Sequence, residues 1–244
     1  MSDRLPRGAG RFPTTRLSLV LAAAGDGRGS HDALDALCRM YWAPLYAFIR
    51  RQGHEAEDAR DLTQAFIARL IEKGTLRQFQ RERGRFRSFL LGCLKHFLSN
   101  QRDFERARKR GGGVPALSLD DIAEVESVAR LELAGQSTPE TIFERQWALS
   151  VLQQAMARLA EECARDGNAE RFERLKGYLT RDGEGPAYRD TARVLGMSEG
   201  AVKVAVHRLR ERFHHCLRDE VSLTVADATD ITDEIRYLIT ALRS

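Results

Sequence analysis

Long hydrophobic runs, strand-forming runs and paired cysteines are all scarce in this chain of 244 residues, and each scarcity narrows what it can be. The apolar stretch from Leu17 to Ala24 is short, is interrupted by Ser18 and ends at Gly25, Asp26 and Gly27. Neither a membrane span nor an export signal is read there. Alternating β-branched or aromatic residues appear only fleetingly near 222–225, and no Asn-Gly or Asp-Gly turn separates two apolar runs. The pattern predicts an all-α protein.

Cys38, Cys93, Cys163 and Cys216 lie far apart, with no Cys-x-x-Cys pair. That excludes the usual zinc and dithiol arrangements and fits a reducing, cytoplasmic setting. His31, His54, His96, His207, His214 and His215 contain no His-x-x-x-His or His-Glu-x-x-His spacing, and His214-His215-Cys216 reads as surface plus core. No phosphate-cradling glycine loop, nucleophile elbow or catalytic carboxylate pair is present. The chain is therefore not expected to be an enzyme, and no cofactor or metal is expected.

What the chain does have is apolar content, 43%, and charge, 30%. The 39 bases are nearly offset by 35 acids, leaving a net charge of +4, so distribution matters more than the sum. Residues 1–29 read as a Gly-, Pro- and Arg-rich arm with a short helix at about 15–24. Residues 30–110 read as a first helical domain. Its apolar positions Leu34, Leu37, Tyr41 and Trp42 recur at helical spacing until Pro44, which predicts a kink or restart, and Gly53 stops the run. Further helices are expected at about 56–73, closed by Gly74, and at 86–110.

Gly111, Gly112, Gly113 and Pro115 then break the chain, and residues 111–137 carry Asp120, Asp121, Glu124, Glu126 and Glu132. This is an acidic linker. A second helical domain is expected over 138–220, starting at Thr138 or Pro139, with helices resuming at about 169–179 and a turn at 182–186. The extension 221–244 carries a last helix, beginning at Asp230, Thr232 or Asp233, with Ile235, Leu238, Ile239 and Leu242 apolar.

Between Arg77 and Arg110 stand eleven bases and three acids, a local charge of +8 that exceeds the whole chain's. Such a segment seeks polyanions, because each phosphate it neutralises releases counterions. Phe79, Phe86, Phe89, Phe97 and Phe104 are interleaved with the bases, as a single-strand platform requires. Phe86, Phe89 and Phe97 nevertheless fall close to one helical stripe, which reads as core. Arg85, Arg87, Lys95, Asn100, Arg102, Arg106 and Lys109 are the candidate contacts of this segment.

Tyr188 to Arg210 has the mechanics of a helix-turn-helix. Ala192 is small where two helices must cross, Gly196 permits the turn and Ser198 caps the second helix. Val202, Val206 and Leu209 give that helix a buried stripe. Ser198, Glu199, Gly200, Lys203, His207, Arg208 and Arg210, with Arg212 beyond, are left for a DNA groove. The residues near the helix start are candidates for base edges and the later arginines for phosphate.

Two nucleic-acid-seeking modules joined by an acidic linker resemble a bacterial RNA polymerase sigma factor of the sigma-70 superfamily, reduced to its regions 2 and 4. Asp58-Ala-Arg-Asp61-Leu-Thr-Gln64-Ala-Phe66 resembles the region 2.2 pattern, and Gly84 to Leu91 with the basic helix after it resembles regions 2.3 and 2.4. Tyr188 to Arg210 resembles region 4.2. Tyr41-Trp-x-Pro-Leu-Tyr46 and Asp61-Leu-Thr-Gln64 bring it nearest to the extracytoplasmic-function group. The resemblance implies that Asp58, Asp61, Leu62, Gln64 and Phe66 dock on the β′ clamp helices of core RNA polymerase. It implies that the second domain meets the β flap and the minus-35 element, and that the first melts and reads the minus-ten element of promoter DNA. Ala65 departs from the pattern, since an acid commonly stands there. The acidic linker is expected to lie along the RNA-exit path or to act as a solvated tether, and an anti-sigma factor or the C-terminal extension is a possible regulator. The rival reading is a stand-alone helix-turn-helix regulator, which binds its operator without polymerase.

Overall fold

The computed structural model describes residues 28–72, 79, 85–108, 138–179, 188–225 and 227–243. Among these residues there are eight α-helices and no strand. The expected helix at 15–24, the closing Gly74, the acidic linker and the turn at 182–186 lie outside them. Also among the described residues, no helix is long and apolar enough to cross a membrane.

Helix α1 (Arg28–Arg51) runs through Pro44 as one element, so of the expected kink or restart the restart does not occur. Proline inside a helix forfeits one backbone hydrogen bond and costs about 3 kcal/mol. Here Pro44 is buried between Met40 and Tyr41 on one side and Leu45 to Ile49 on the other, all of them buried. Each large apolar side chain contributes roughly 1.5–3 kcal/mol on burial, so packing outweighs the local defect. Gly53, at φ 93°, then turns the chain into α2 (Ala56–Glu72), as the sequence predicts.

Helix α3 (Phe86–Arg108) closes the first segment through aromatic contacts. Phe97 meets Phe66 of α2 at 5.5 Å, and Phe86 meets Tyr41 of α1 edge-on at 5.6 Å. Phe79 packs on both Phe86 and Phe89 at 5.4 Å. The described phenylalanines of the basic segment are thus core, not a stacking platform.

Helix α4 (Pro139–Arg165) is the longest element and the hub of the structure. Thr138 caps it, accepting from the Thr141 amide, and Pro139 occupies its first turn. It lies along α1 more extensively than any other pair of elements pack. Its remaining surface receives α5 (Ala169–Leu175) with the 3-10 turn Lys176–Tyr178, α7 (Glu199–Val221) and α8 (Ile231–Arg243). Helix α6 (Tyr188–Leu195) packs on α7. The two segments expected as separate domains therefore share one continuous apolar core, with Phe48 of α1 edge-on to Phe143 of α4 at 6.5 Å.

The shared seam carries a prediction. Phe143→Ala removes a fully buried ring from it and is expected to cost about 3–5 kcal/mol. Urea unfolding followed by circular dichroism and by tryptophan fluorescence should keep one transition that moves as a whole. A separate early transition in the variant, with the rest unmoved, would mean that the halves fold independently.

Candidate nucleic-acid interface

The helix-turn-helix is built by three local devices. Gly196 adopts φ 62°, where a side chain is disfavoured, and the Met197 amide donates to the Ala192 carbonyl at 2.9 Å to close the turn. Ser198 stands in extended backbone and its hydroxyl accepts from the Ala201 amide at 3.2 Å, capping α7. Val202, Ala205, Val206 and Leu209 are buried beneath it, together with Ala192 of α6. Tyr178 stacks on Tyr188 with ring centroids 4.9 Å apart, and its hydroxyl meets that of Thr191 at 2.7 Å, which anchors α6 to the preceding turn.

Ser198, Glu199, Gly200, Lys203, His207, Arg208 and Arg210 are all exposed, but Arg208 stands on the opposite flank of α7 from Glu199 and Arg210, beside Arg171 and Phe172 of α5. Lys203 sits over the Tyr188 ring at 5.6 Å, and His207 faces Glu211 at 3.5 Å. Arg210 is the most constrained of the set, because its guanidinium donates to the Tyr178 carbonyl at 3.0 Å. Arg212 departs from expectation: it bridges to Asp166 at 2.9 Å and Glu162 at 3.5 Å, tying α7 to the end of α4. Val204, 51% exposed beside Lys203, was missed by the sequence reading. An apolar residue on the outer face of an amphipathic helix is the signal that finds it, and thymine methyl groups are the apolar feature a major groove offers.

The basic segment is arranged differently. Asn100 and Arg102 are exposed on α3, with Asn100 near His96 at 3.3 Å and Arg102 donating to Gln52 at 3.0 Å. Arg106 belongs to α3, but its side chain, like Lys109, lies outside the described part. The other three candidates carry carboxylates from the second segment. Lys95 meets Glu140 at 2.7 Å and Arg85 meets Glu234 at 3.2 Å. Arg87 is 2% exposed, hydrogen-bonded through Nε to Glu144 at 2.8 Å and through Nη1 to Glu234, which is itself 1% exposed.

Arg87, expected among the exposed contacts, is instead buried and paired in this structure. Its guanidinium lies between aromatic faces, 3.9 Å from the Tyr237 centroid and 4.8 Å from that of Trp147. Burial works against its charge, but the Glu234 carboxylate, then Glu144, holds it above the ordinary arginine range. Burial likewise pushes the Tyr41 and Tyr237 phenols up, with Glu234 and Glu144 respectively adding to the effect. The acids of this cluster were not read from the sequence. Glu234 falls on the stripe Ile231, Leu238 and Ala241, which the structure buries, while Ile239, expected on the apolar stripe, is 45% exposed. An acid on a buried stripe was the available signal.

On α2, Asp58 is exposed and Asp61, Leu62 and Gln64 are half-buried, while Phe66 is buried against Phe97. Phe66 is core, whereas the remaining four keep exposed or half-buried positions. Thr63, within the same motif, is also buried and donates back to the Ala59 carbonyl at 2.7 Å. The four cysteines are free, and burial raises their thiols, Cys216 to about 11, which leaves them protonated and poorly nucleophilic at neutral pH. Among the described residues no cluster of His, Cys, Asp or Glu could hold a metal ion. Compared with protein-family models, curated proteins and solved structures, the chain matches none.

Glu140 supplies a pH test of the surface bridge. The Lys95 hydrogen bond, followed by the amide at its own helix start, holds its carboxyl below the usual 4.5. A depressed folded value means that the contribution is complete above about pH 5 and is lost as pH falls through the folded value. Thermal unfolding of Glu140→Gln and wild type should therefore differ at neutral pH and converge in acid. Equal melting at both pH values would place the bridge among those that contribute nothing.

Proposed function

We propose that this chain is a sigma factor, a non-enzymatic subunit that binds core RNA polymerase and directs it to promoters. On this reading, the first segment engages the minus-ten element and the helix-turn-helix the minus-35 element. The observation that carries the proposal is the paired placement of two modules in one chain. A capped helix presents Glu199, Lys203, His207 and Arg208 outward, while a separate basic helix lies behind a surface bearing Asp58, Asp61 and Gln64. A repressor needs only one reading head, whereas a promoter-specificity subunit needs one grip for duplex and one for separated strands. The sequence resemblance over residues 34–110 and 138–217 supports the same assignment.

In mechanism, the chain performs no bond chemistry. Asp58, Asp61, Leu62 and Gln64 supply the core-enzyme contact from α2. Glu199, Gly200 and Lys203 stand at the start of α7, where such helices meet base edges, and Arg208 and Arg210 stand where they meet phosphate. Asn100, Arg102 and Arg106 form the basic part of α3 that receives the non-template strand, with Lys109 just beyond it. The alternative is a stand-alone regulator, which the continuous core that joins the two segments favours, since such a protein needs no separable halves.

A gel shift on promoter duplex with and without core polymerase separates the two readings. The sigma reading expects retention only with core enzyme present, and Asp61→Ala with Gln64→Ala should weaken co-purification with core at least tenfold, on the order of 1.4 kcal/mol or more. Strong binding by the chain alone would select the regulator instead. In either case Arg208→Ala should weaken duplex binding about equally across sequences and lower the salt slope by roughly one ion.

A further inference from the structure

We infer that the start of the basic helix α3 is a polyanion-binding face that the chain's own acids occupy, so that the C-terminal helix acts as an autoinhibitory clasp. The inference rests on the proposed function for the identity of the polyanion, nucleic acid, but its geometry is independent of that reading.

Arg85, just before α3, and Arg87 and Lys95, in its first half, are each paired with acids from beyond the linker. Arg85 and Arg87 share Glu234 of α8, Arg87 also takes Glu144, and Lys95 takes Glu140. Glu140 and Glu144 are one helical turn apart on α4 and so face the same direction. The acids thus come as a short row, from two helices, laid against a row of bases, which is the arrangement a phosphate backbone would otherwise supply.

Helix α8 makes the closure specific. Glu234 is buried with both oxygens used, one on each arginine, and Tyr237 lies under both guanidiniums, 4.8 Å from that of Arg85 and 3.9 Å from that of Arg87. A structural role alone does not require this chemistry. A buried ion pair is often matched or exceeded in stability by apolar side chains of similar volume, whereas only charged side chains can take a phosphate in place of a carboxylate. Opening would lift α8 and free Arg85 and Arg87 from Glu234, while the surface pair of Lys95 and Glu140 exchanges partners with α4 left in place, so that these cations form one strip with Asn100 and Arg102.

The test uses the full chain, with a fluorescein-labelled single-stranded 20-mer DNA as the probe and no polymerase present. Glu234→Gln keeps the shape of the side chain and removes its charge. It is expected to tighten binding of the probe about tenfold, because the apparent affinity scales with the open fraction, and to speed amide exchange across α8. The surface variant Glu140→Gln, which leaves the buried cluster whole, is expected to give a smaller gain of about two- to threefold and decides the matter if Glu234→Gln loses helix content. Unchanged or weaker probe binding in the folded variants would overturn the clasp. If the wild type still co-purifies with core polymerase in that case, the sigma reading stands without it. If the variants gain DNA affinity but neither they nor the wild type bind core, the clasp stands and the sigma reading falls.

Discussion

A guanidinium withdrawn from water is tolerated only where carboxylates and aromatic faces replace its hydration, and Arg87 is such a case. Its partners come from α4 and α8, far along the chain, so the charge cannot be buried until both have docked. That requirement makes the register between the two segments a matter of chemistry as well as packing. Apolar contacts such as Phe48 with Phe143 are non-directional and would accept small slides, whereas two arginines sharing one carboxylate would not. The buried cluster therefore selects one arrangement from the many that a greasy seam alone would allow.

The second consequence concerns which charged residues remain free to act. Of the polar residues on α3, the cations Arg87 and Lys95 are paired across the interface, while Asn100 and Arg102 further along stay on the surface. On α7 the division is similar: Arg212 is drawn toward Asp166 and Glu162, while Lys203, His207 and Arg208 keep outward positions.

How much of this was legible depended on the distance over which each feature is decided. The helix-turn-helix was readable because Ala192, Gly196 and Ser198 do jobs completed within a few residues, and a crossing, a turn and a cap leave composition marks. The start of α4 was readable for the same reason, through Thr138 and Pro139. Pro44 misled because its local cost is offset by burial, which a linear reading cannot weigh. Arg87 misled because a base in a basic run looks solvent-facing until an acid 147 positions away arrives beside it. Phe66 belongs to a motif that resembles a docking surface, yet alternation of exposed and core positions within a helix means that such a motif always includes residues facing inward.

On the function proposed above, an all-α protein with two nucleic-acid grips has a problem that one with a single grip does not. If both are open at all times, it will bind DNA wherever charge permits, since non-specific attraction scales with the number of phosphates neutralised. Pairing some of those cations internally lowers that background without discarding them, because an ion pair can be exchanged for a phosphate whereas a deleted arginine cannot. The cost is a buried charge cluster that contributes little to stability by itself. Selection of one register accounts for burying such a cluster, and release of the surface, as inferred above, accounts in addition for its being built of ion pairs that a phosphate can replace.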